Sequence, residues 1–267
     1  MRTTPPPRTL GWRIALLAGV LGALPPTPRL QARDLEFTFA VPEPFQELAA
    51  RGGNPRPATG RMKLALPENF DPSRVWPLLI VISTSDLGRD STMDVDLYGM
   101  ATRTEGWVVL GTDATIRPKI DSSAWRLAMI AAGLEALRQR WPTAVKWPVA
   151  LAGLSGGAKR CAYLAPVLAK TGGVRLVGVF LTGINEDTLS PAVHLQRPPD
   201  SFFDVPIYLS SGWTDRTATP NHHAQVESSM LKTGFRRVRL EQFNADHVIK
   251  LSQLREALRW FRRVGQF

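Results

Sequence analysis

Cysteine is nearly absent from this chain. Cys161 stands alone, so no intrachain disulfide can form, and the expected role of that thiol is a small buried side chain. Long apolar runs are also missing: the stretch from Ile14 to Leu24 falls short of the about 20 residues an ordinary membrane span requires. Positive charge is plentiful but unpatterned. The net charge is +10, yet the arginines are scattered and no basic block is interleaved with aromatics, so the sequence reads as a solvated basic surface and nucleic-acid binding is unsupported. No internal repeat is visible. Histidine is scarce too, with four in the whole chain, and that scarcity makes any catalytic assignment easy to test.

The N-terminus carries Arg2, Arg8 and Arg13, then the apolar core IALLAGVLGAL, then Leu30-Gln31-Ala32. This is the pattern of a secretory signal peptide cleaved near Ala32, with an uncleaved N-terminal membrane anchor as the alternative. Residues 1–32 are therefore expected to be a leader and residues 33–267 a secreted or periplasmic domain without stable membrane insertion. Removing Arg2, Arg8, Arg13 and Arg29 with that leader takes the charge from +10 to +6. No lipobox cysteine is present.

Beyond the leader, apolar runs at Leu78 to Ile82, Trp107 to Leu110, Val149 to Ala152, Leu176 to Leu181 and Ile207 to Leu209 read as buried strands. Helical spacing separates them, most clearly from Ala124 to Arg140, where Leu127, Ile130, Leu134 and Leu137 share a face. This alternation predicts a mainly parallel sheet of about eight strands with helices on both faces. Leu35 to Ala40 and Arg61 to Leu66 read as antiparallel edge strands. The longest insertion between late strands, Gly183 to Asp204, leaves no room for a large lid. That loop and the one from Asp86 to Asp96 are expected to wall an open cleft.

The motif that carries chemistry is Gly153-Leu154-Ser155-Gly156-Gly157, where an apolar run stops and a helical segment follows at once. Average glycine and serine usage produces G-x-S-x-G by chance in roughly one chain in ten of this length, so context must decide. In a nucleophile elbow the serine is presented on a sharp strand-to-helix turn, and its partners follow in the order acid, then histidine. His194 precedes the best acid candidate, and His222 and His223 follow it too closely for an intervening strand. His247 is left, after the alternating stretch Val238 to Phe243 and before a helix with Leu251, Leu254, Leu258 and Phe261 at helical spacing. The acid candidate is Asp215, at the end of the strand-turn sequence Ile207 to Asp215. Glu186, Asp187, Asp204 and Asp246 are its competitors. The adjacent His222 and His223 would point apart on a helix and have no evident third ligand, so no metal is expected.

With these pieces in place the chain resembles the α/β-hydrolase fold family, from about residue 61 to the C-terminus. The likeness is strongest to lidless secreted esterases of the feruloyl esterase-like, poly(3-hydroxybutyrate) depolymerase-like and dienelactone hydrolase-like groups. It is carried by Pro77 to Ile82, Gly153 to Gly157, Gly212 to Asp215, and His247. The resemblance implies hydrolysis of a small-molecule or polymeric carboxylic ester through an acyl-serine intermediate, without a cofactor. Ser155, Asp215 and His247 would form the triad, and the backbone N–H groups of Gly156 and Ser85 the oxyanion hole. Many members carry His-Gly after the oxyanion-loop strand, where this chain has Ser83-Thr84-Ser85, placing a β-branched residue at a position that glycine elsewhere eases. Trp213, two residues before the acid, is expected either to form an aromatic platform for substrate or to pack beneath the acid loop. A serine peptidase or acyltransferase would use the same triad. An inactive envelope binding protein on the same fold is the third reading.

Overall fold

The computed structural model describes residues 34–84, 88–171 and 173–267. Residues 1–32, expected to be a leader, and Ser85 lie outside these residues. Among the described residues eight strands form one sheet: β1 (Asp34–Ala40), β2 (Thr59–Ala65), β3 (Leu78–Ile82), β4 (Val108–Ala114), β5 (Pro148–Leu154), β6 (Arg175–Thr182), β7 (Ile207–Gly212) and β8 (Val238–Phe243). Their spatial order is β1-β2-β4-β3-β5-β6-β7-β8. All pairings from β4 to β8 are parallel, whereas β2 runs antiparallel to both β1 and β4. One expectation needs correction. β1 does lie at the edge, but β2 is interior, because the sheet continues from β2 into β4 through the register Gly60↔Ala114 to Ala65↔Val109.

Among the described residues seven α-helices cover this sheet: α1 (Glu43–Ala50), α2 (Val95–Thr102), α3 (Ser123–Arg140), α4 (Gly156–Thr171), α5 (Leu189–Gln196), α6 (Pro220–Thr233) and α7 (Leu251–Gly265). Alternation along the strands assigns them to faces. In β3, Leu78, Ile80 and Ile82 join the larger core, which takes in Ala49 of α1, Trp125 of α3, Cys161 of α4, Val193 of α5 and Met230 of α6. Leu79 and Val81 face the other way, against Tyr98 of α2 and Leu254, Leu258 and Phe261 of α7. Both faces are therefore buried, as a parallel sheet requires. Cys161 is fully buried and burial pushes its thiol pKa up, in keeping with a packing role. The insertion from Gly183 to Asp204 is not all loop. Its middle is α5, whose Leu189, Ala192 and Val193 are buried. Among the described residues no helix is long and apolar enough to cross a membrane.

Candidate active site

Functional clefts in open parallel sheets form beyond the carboxyl ends of the strands, and Ser155, Asp215 and His247 all follow strand ends on that side. β5 ends at Leu154 and α4 begins at Gly156, so Ser155 is the entire connection. Its φ of +56° puts a non-glycine residue in the left-handed region, a conformation that costs about 1–2 kcal/mol. The turn is tight enough to demand glycine on both sides. A Cβ at Gly153 would lie 2.4 Å from the carbonyl carbon of Gly157, and one at Gly157 would lie 2.1 Å from the Ile82 carbonyl oxygen. The Ser155 N–H donates to the Thr182 carbonyl at 3.0 Å, which ties the elbow to the end of β6.

Asp215 and His247 meet. His247 Nδ1 lies 2.7 Å from Asp215 Oδ2, while Asp215 Oδ1 accepts from the N–H groups of Thr217 and Ala218, each at 2.8 Å. Burial alone would raise the Asp215 carboxyl pKa. The Ala218 N–H, the His247 hydrogen bond and the Thr217 N–H outweigh it and hold the group below the ordinary carboxylate range. The carboxylate is therefore ionised, His247 donates through Nδ1, and Nε2 is the nitrogen left free to take a proton. The two loops are also joined through backbone, Trp213 N–H to the Phe243 carbonyl at 2.8 Å and Thr214 N–H to the Ala245 carbonyl at 3.2 Å.

Gly183 is where this pair approaches the serine. It follows Thr182, the acceptor of the Ser155 N–H, and has φ of +58°. A Cβ there would lie 2.6 Å from His247 Cε1, 2.9 Å from its Nδ1 and 3.0 Å from Leu154 Cδ1. The imidazole thus rests on a bare backbone, with the side chain that precedes Ser155 touching the same point. Sequence reasoning did not single out Gly183. Its signal, a glycine directly after a strand that neighbours the elbow strand, becomes meaningful only once the strand order is known.

The rival carboxylates have other engagements. Asp187 Oδ1 accepts from Leu189 and Ser190 N–H groups at the start of α5, Asp204 pairs with Arg236 at 2.7 Å, and Asp246 is exposed. His222 and His223 both bond the backbone of Thr219. His222 closes a capping box with Thr219, whereas the fully buried His223 accepts the Ile184 N–H at 3.3 Å through Nε2 and donates through Nδ1 to the Thr219 carbonyl at 3.2 Å. Desolvation holds the His223 pKa below its ordinary value, against the opposing effect of that carbonyl. The neutral ring pins the segment that follows Gly183.

Among the described residues, those other than glycine with positive φ are Asn69, Ser155, Arg197 and Gln266, so the β-branched Thr84 does not adopt the torsion that favours glycine. Its Oγ1 lies against Gly156, where an added Cβ would come within 2.9 Å. Preceding it, the Ser83 N–H donates to Ser91 Oγ at 3.3 Å, and Ser91 Oγ also accepts from Arg126 Nη1. Arg126 is 3 % exposed. It bonds Asp121 bidentately at 2.8 Å, Asp113 at 2.9 Å and the Arg89 carbonyl at 3.3 Å, so every N–H is used. Nothing in the sequence flagged this support.

The cleft at Ser155 has a volume of about 690 Å³. Asp121, Ser122 and Ser123 wall it at the start of α3, Lys159, Arg160 and Tyr163 along α4, and Asn185 and Thr188 after β6. Trp213 is 58 % exposed, so it does not pack beneath the acid loop. It does not line this cleft either.

No protein-family model matches the sequence, and no curated protein matches it. Solved structures do match. The chain is similar to a ferulic acid esterase over 88 % of its own length and 99 % of that chain, at 10 % identity and a TM-score of 0.60. It is similar to a bacterial heroin esterase over 86 % and 84 %, at 17 % identity and 0.58. It also resembles Zea mays acyl-protein thioesterase 2 over 76 % and 98 %, at 14 % identity and 0.53. With β2 antiparallel in an otherwise parallel eight-stranded sheet, helices on both faces and a strained serine between β5 and α4, the chain has the α/β-hydrolase fold.

Proposed function

We propose that this protein is a serine hydrolase of carboxylic esters. The observation that carries the reading is the His247–Asp215 hydrogen bond of 2.7 Å, seated on Gly183 beside a serine whose φ is +56°. A serine hydroxyl is a weak nucleophile until a base takes its proton. His247 Nε2 removes the Ser155 proton as Oγ attacks the ester carbonyl. Asp215 fixes the tautomer and stabilises the imidazolium. The N–H of Gly156, at the start of α4, and that of Ser85 hold the oxyanion, a contribution of about 3 kcal/mol per donor in other enzymes. Collapse of the tetrahedral intermediate expels the alcohol, which takes the proton from His247. Water, deprotonated by the same histidine, then releases the acid and restores Ser155.

The esterase and thioesterase titles of the similar structures favour ester over amide substrates, and the groups named need no cofactor. Export after cleavage near Ala32 belongs to the same proposal, and N-terminal sequencing of the secreted protein tests it. The decisive experiment on the chemistry is hydrolysis of p-nitrophenyl acetate and butyrate by residues 33–267, run beside Ser155→Ala and a fluorophosphonate label. Turnover and labelling that both vanish in the variant support the proposal. A folded wild-type protein that neither turns over nor labels rejects it.

A further inference from the structure

The walls of the cleft around Ser155 are polar. Among the described residues that line it there is no aliphatic side chain, and Tyr163 is the one aromatic. Ser122, Ser123, Asn185, Thr188 and Thr217 contribute hydroxyl and amide groups. A site for a fatty acyl chain or an apolar alcohol would present apolar side chains, so this cleft suits a hydrophilic ester.

The two cations among those described residues, Lys159 and Arg160, are not equivalent. Arg160 is committed: Nη1 lies 3.1 Å from Asp121 Oδ1 and Nη2 donates to the Asp121 carbonyl at 2.7 Å. Asp121 in turn is held bidentately by the buried Arg126, so the one carboxylate among the described residues that line the cleft faces two guanidinium groups. Lys159 has a looser partner. Glu186 lies 3.7 Å away, beyond hydrogen-bond distance, and its side chain is 67 % exposed. An incoming anion can replace Glu186 at Nζ at small cost, since an exposed pair of this kind contributes little.

Position gives Lys159 its meaning. Its N–H donates to the Ser155 carbonyl at 3.1 Å, so it stands one turn beyond the nucleophile, and both residues line the cleft. Thr188 Oγ1 donates to the Lys159 carbonyl at 2.6 Å, which fixes that turn against the segment after β6. One turn is about 5.4 Å of rise, a distance spanned by a few bonds of a bound substrate.

We propose that the cleft selects esters whose acyl or alcohol part carries an anionic group a few bonds from the carbonyl, and that Lys159 is the specificity-determining side chain. This rests on the serine-hydrolase reading above. Matched probes test it on either side of the ester. On the acyl side, 4-nitrophenyl hydrogen glutarate is compared with 4-nitrophenyl valerate. On the alcohol side, 5-acetoxy-2-nitrobenzoate is compared with 4-nitrophenyl acetate. Each kcat/KM is corrected for the spontaneous rate of its probe.

The expected result is a preference of about fivefold to tenfold for the charged member of one pair, the size of a charge-assisted contact at a partly exposed site. That preference shrinks with added salt, disappears in Lys159→Gln and is retained in Lys159→Arg. Equal treatment of charged and neutral members in both pairs, or a preference that survives Lys159→Gln, overturns the subsite while leaving the hydrolase reading intact. Absence of turnover on all four probes, with no fluorophosphonate labelling of Ser155, overturns both.

Discussion

His247 and Asp215, 32 residues apart in the chain, are joined at 2.7 Å through Nδ1 and Oδ2, and the remaining Asp215 oxygen is held by two backbone N–H groups. The carboxylate is thus fixed independently of the histidine it orients. Asp215→Asn preserves that shape but removes the charge and can impose the wrong imidazole tautomer. The expected loss in kcat is about 10⁴-fold, the size found for a triad aspartate elsewhere, with the fold retained by circular dichroism. The stability consequence has a definite sign. A carboxyl held below its ordinary pKa contributes stability above the unfolded value of about 3.9 and loses it as pH falls through the lower folded value. Denaturant midpoints measured from neutral to acid pH should therefore fall less steeply in Asp215→Asn than in wild type. A kcat within tenfold of wild type would remove Asp215 from the mechanism.

Ser155 stores strain that only its chemistry justifies. At φ +56° a serine or alanine carries the left-handed penalty, whereas glycine does not. Ser155→Ala and Ser155→Gly are both expected to be inactive, yet Ser155→Gly should be the more stable by about 1 kcal/mol. Thermal melts of the two variants side by side measure this difference. A less stable glycine variant would mean that the turn does not hold its residue under strain.

How much of this was legible in the sequence depends on the range of each interaction. The elbow could be read because its glycines, serine and following helix are contiguous. His247 and Asp215 could be read because an order along the chain eliminates the other histidines. The interior position of β2 could not, because whether a strand ends a sheet is decided by a partner elsewhere, here β4. Gly183 and the Arg126 network were hidden for the same reason. Arg126 looks like any surface arginine of a helix until Asp113 and Asp121 converge on it. Trp213 was open between two readings because a single aromatic beside a turn carries no periodicity. Its exposure excludes the packed one.

The Arg126 network gives a prediction about stability that the cleft alone would not. Its guanidinium is buried with Asp113 and Asp121, and Trp125 Nε1 also donates to Asp113 at 3.0 Å. Arg126→Ala leaves two carboxylates without their main cation, and breaking a buried pair from one side costs about 3–5 kcal/mol. Because Ser91 Oγ links Arg126 to the Ser83 N–H, activity should fall even at temperatures where the variant is fully folded. Urea unfolding and kcat at low temperature separate the two effects. A loss below about 1 kcal/mol would show that the network is not coupled to folding.

His223 provides a pH dependence distinct from that of the reacting groups. Its ring is buried and neutral, accepting from Ile184 N–H and donating to the Thr219 carbonyl, and burial lowers its pKa. A proton on Nε2 would turn that acceptor into a donor facing another donor. Since the unfolded chain binds the proton more readily, the contribution of His223 is complete above the unfolded pKa of about 6.5. It is lost as pH falls from there toward the lower folded value. His223→Gln cannot titrate, so the difference in unfolding free energy between wild type and variant should shrink as pH drops from 7.5 to 5. The effect reaches the site because Ile184 follows Gly183, on which His247 rests. The variant is therefore expected to lose part of its turnover at pH 7.5, with serine labelling slowed in step. A difference in stability that stays constant across this pH range would mean that His223 takes up no proton on unfolding.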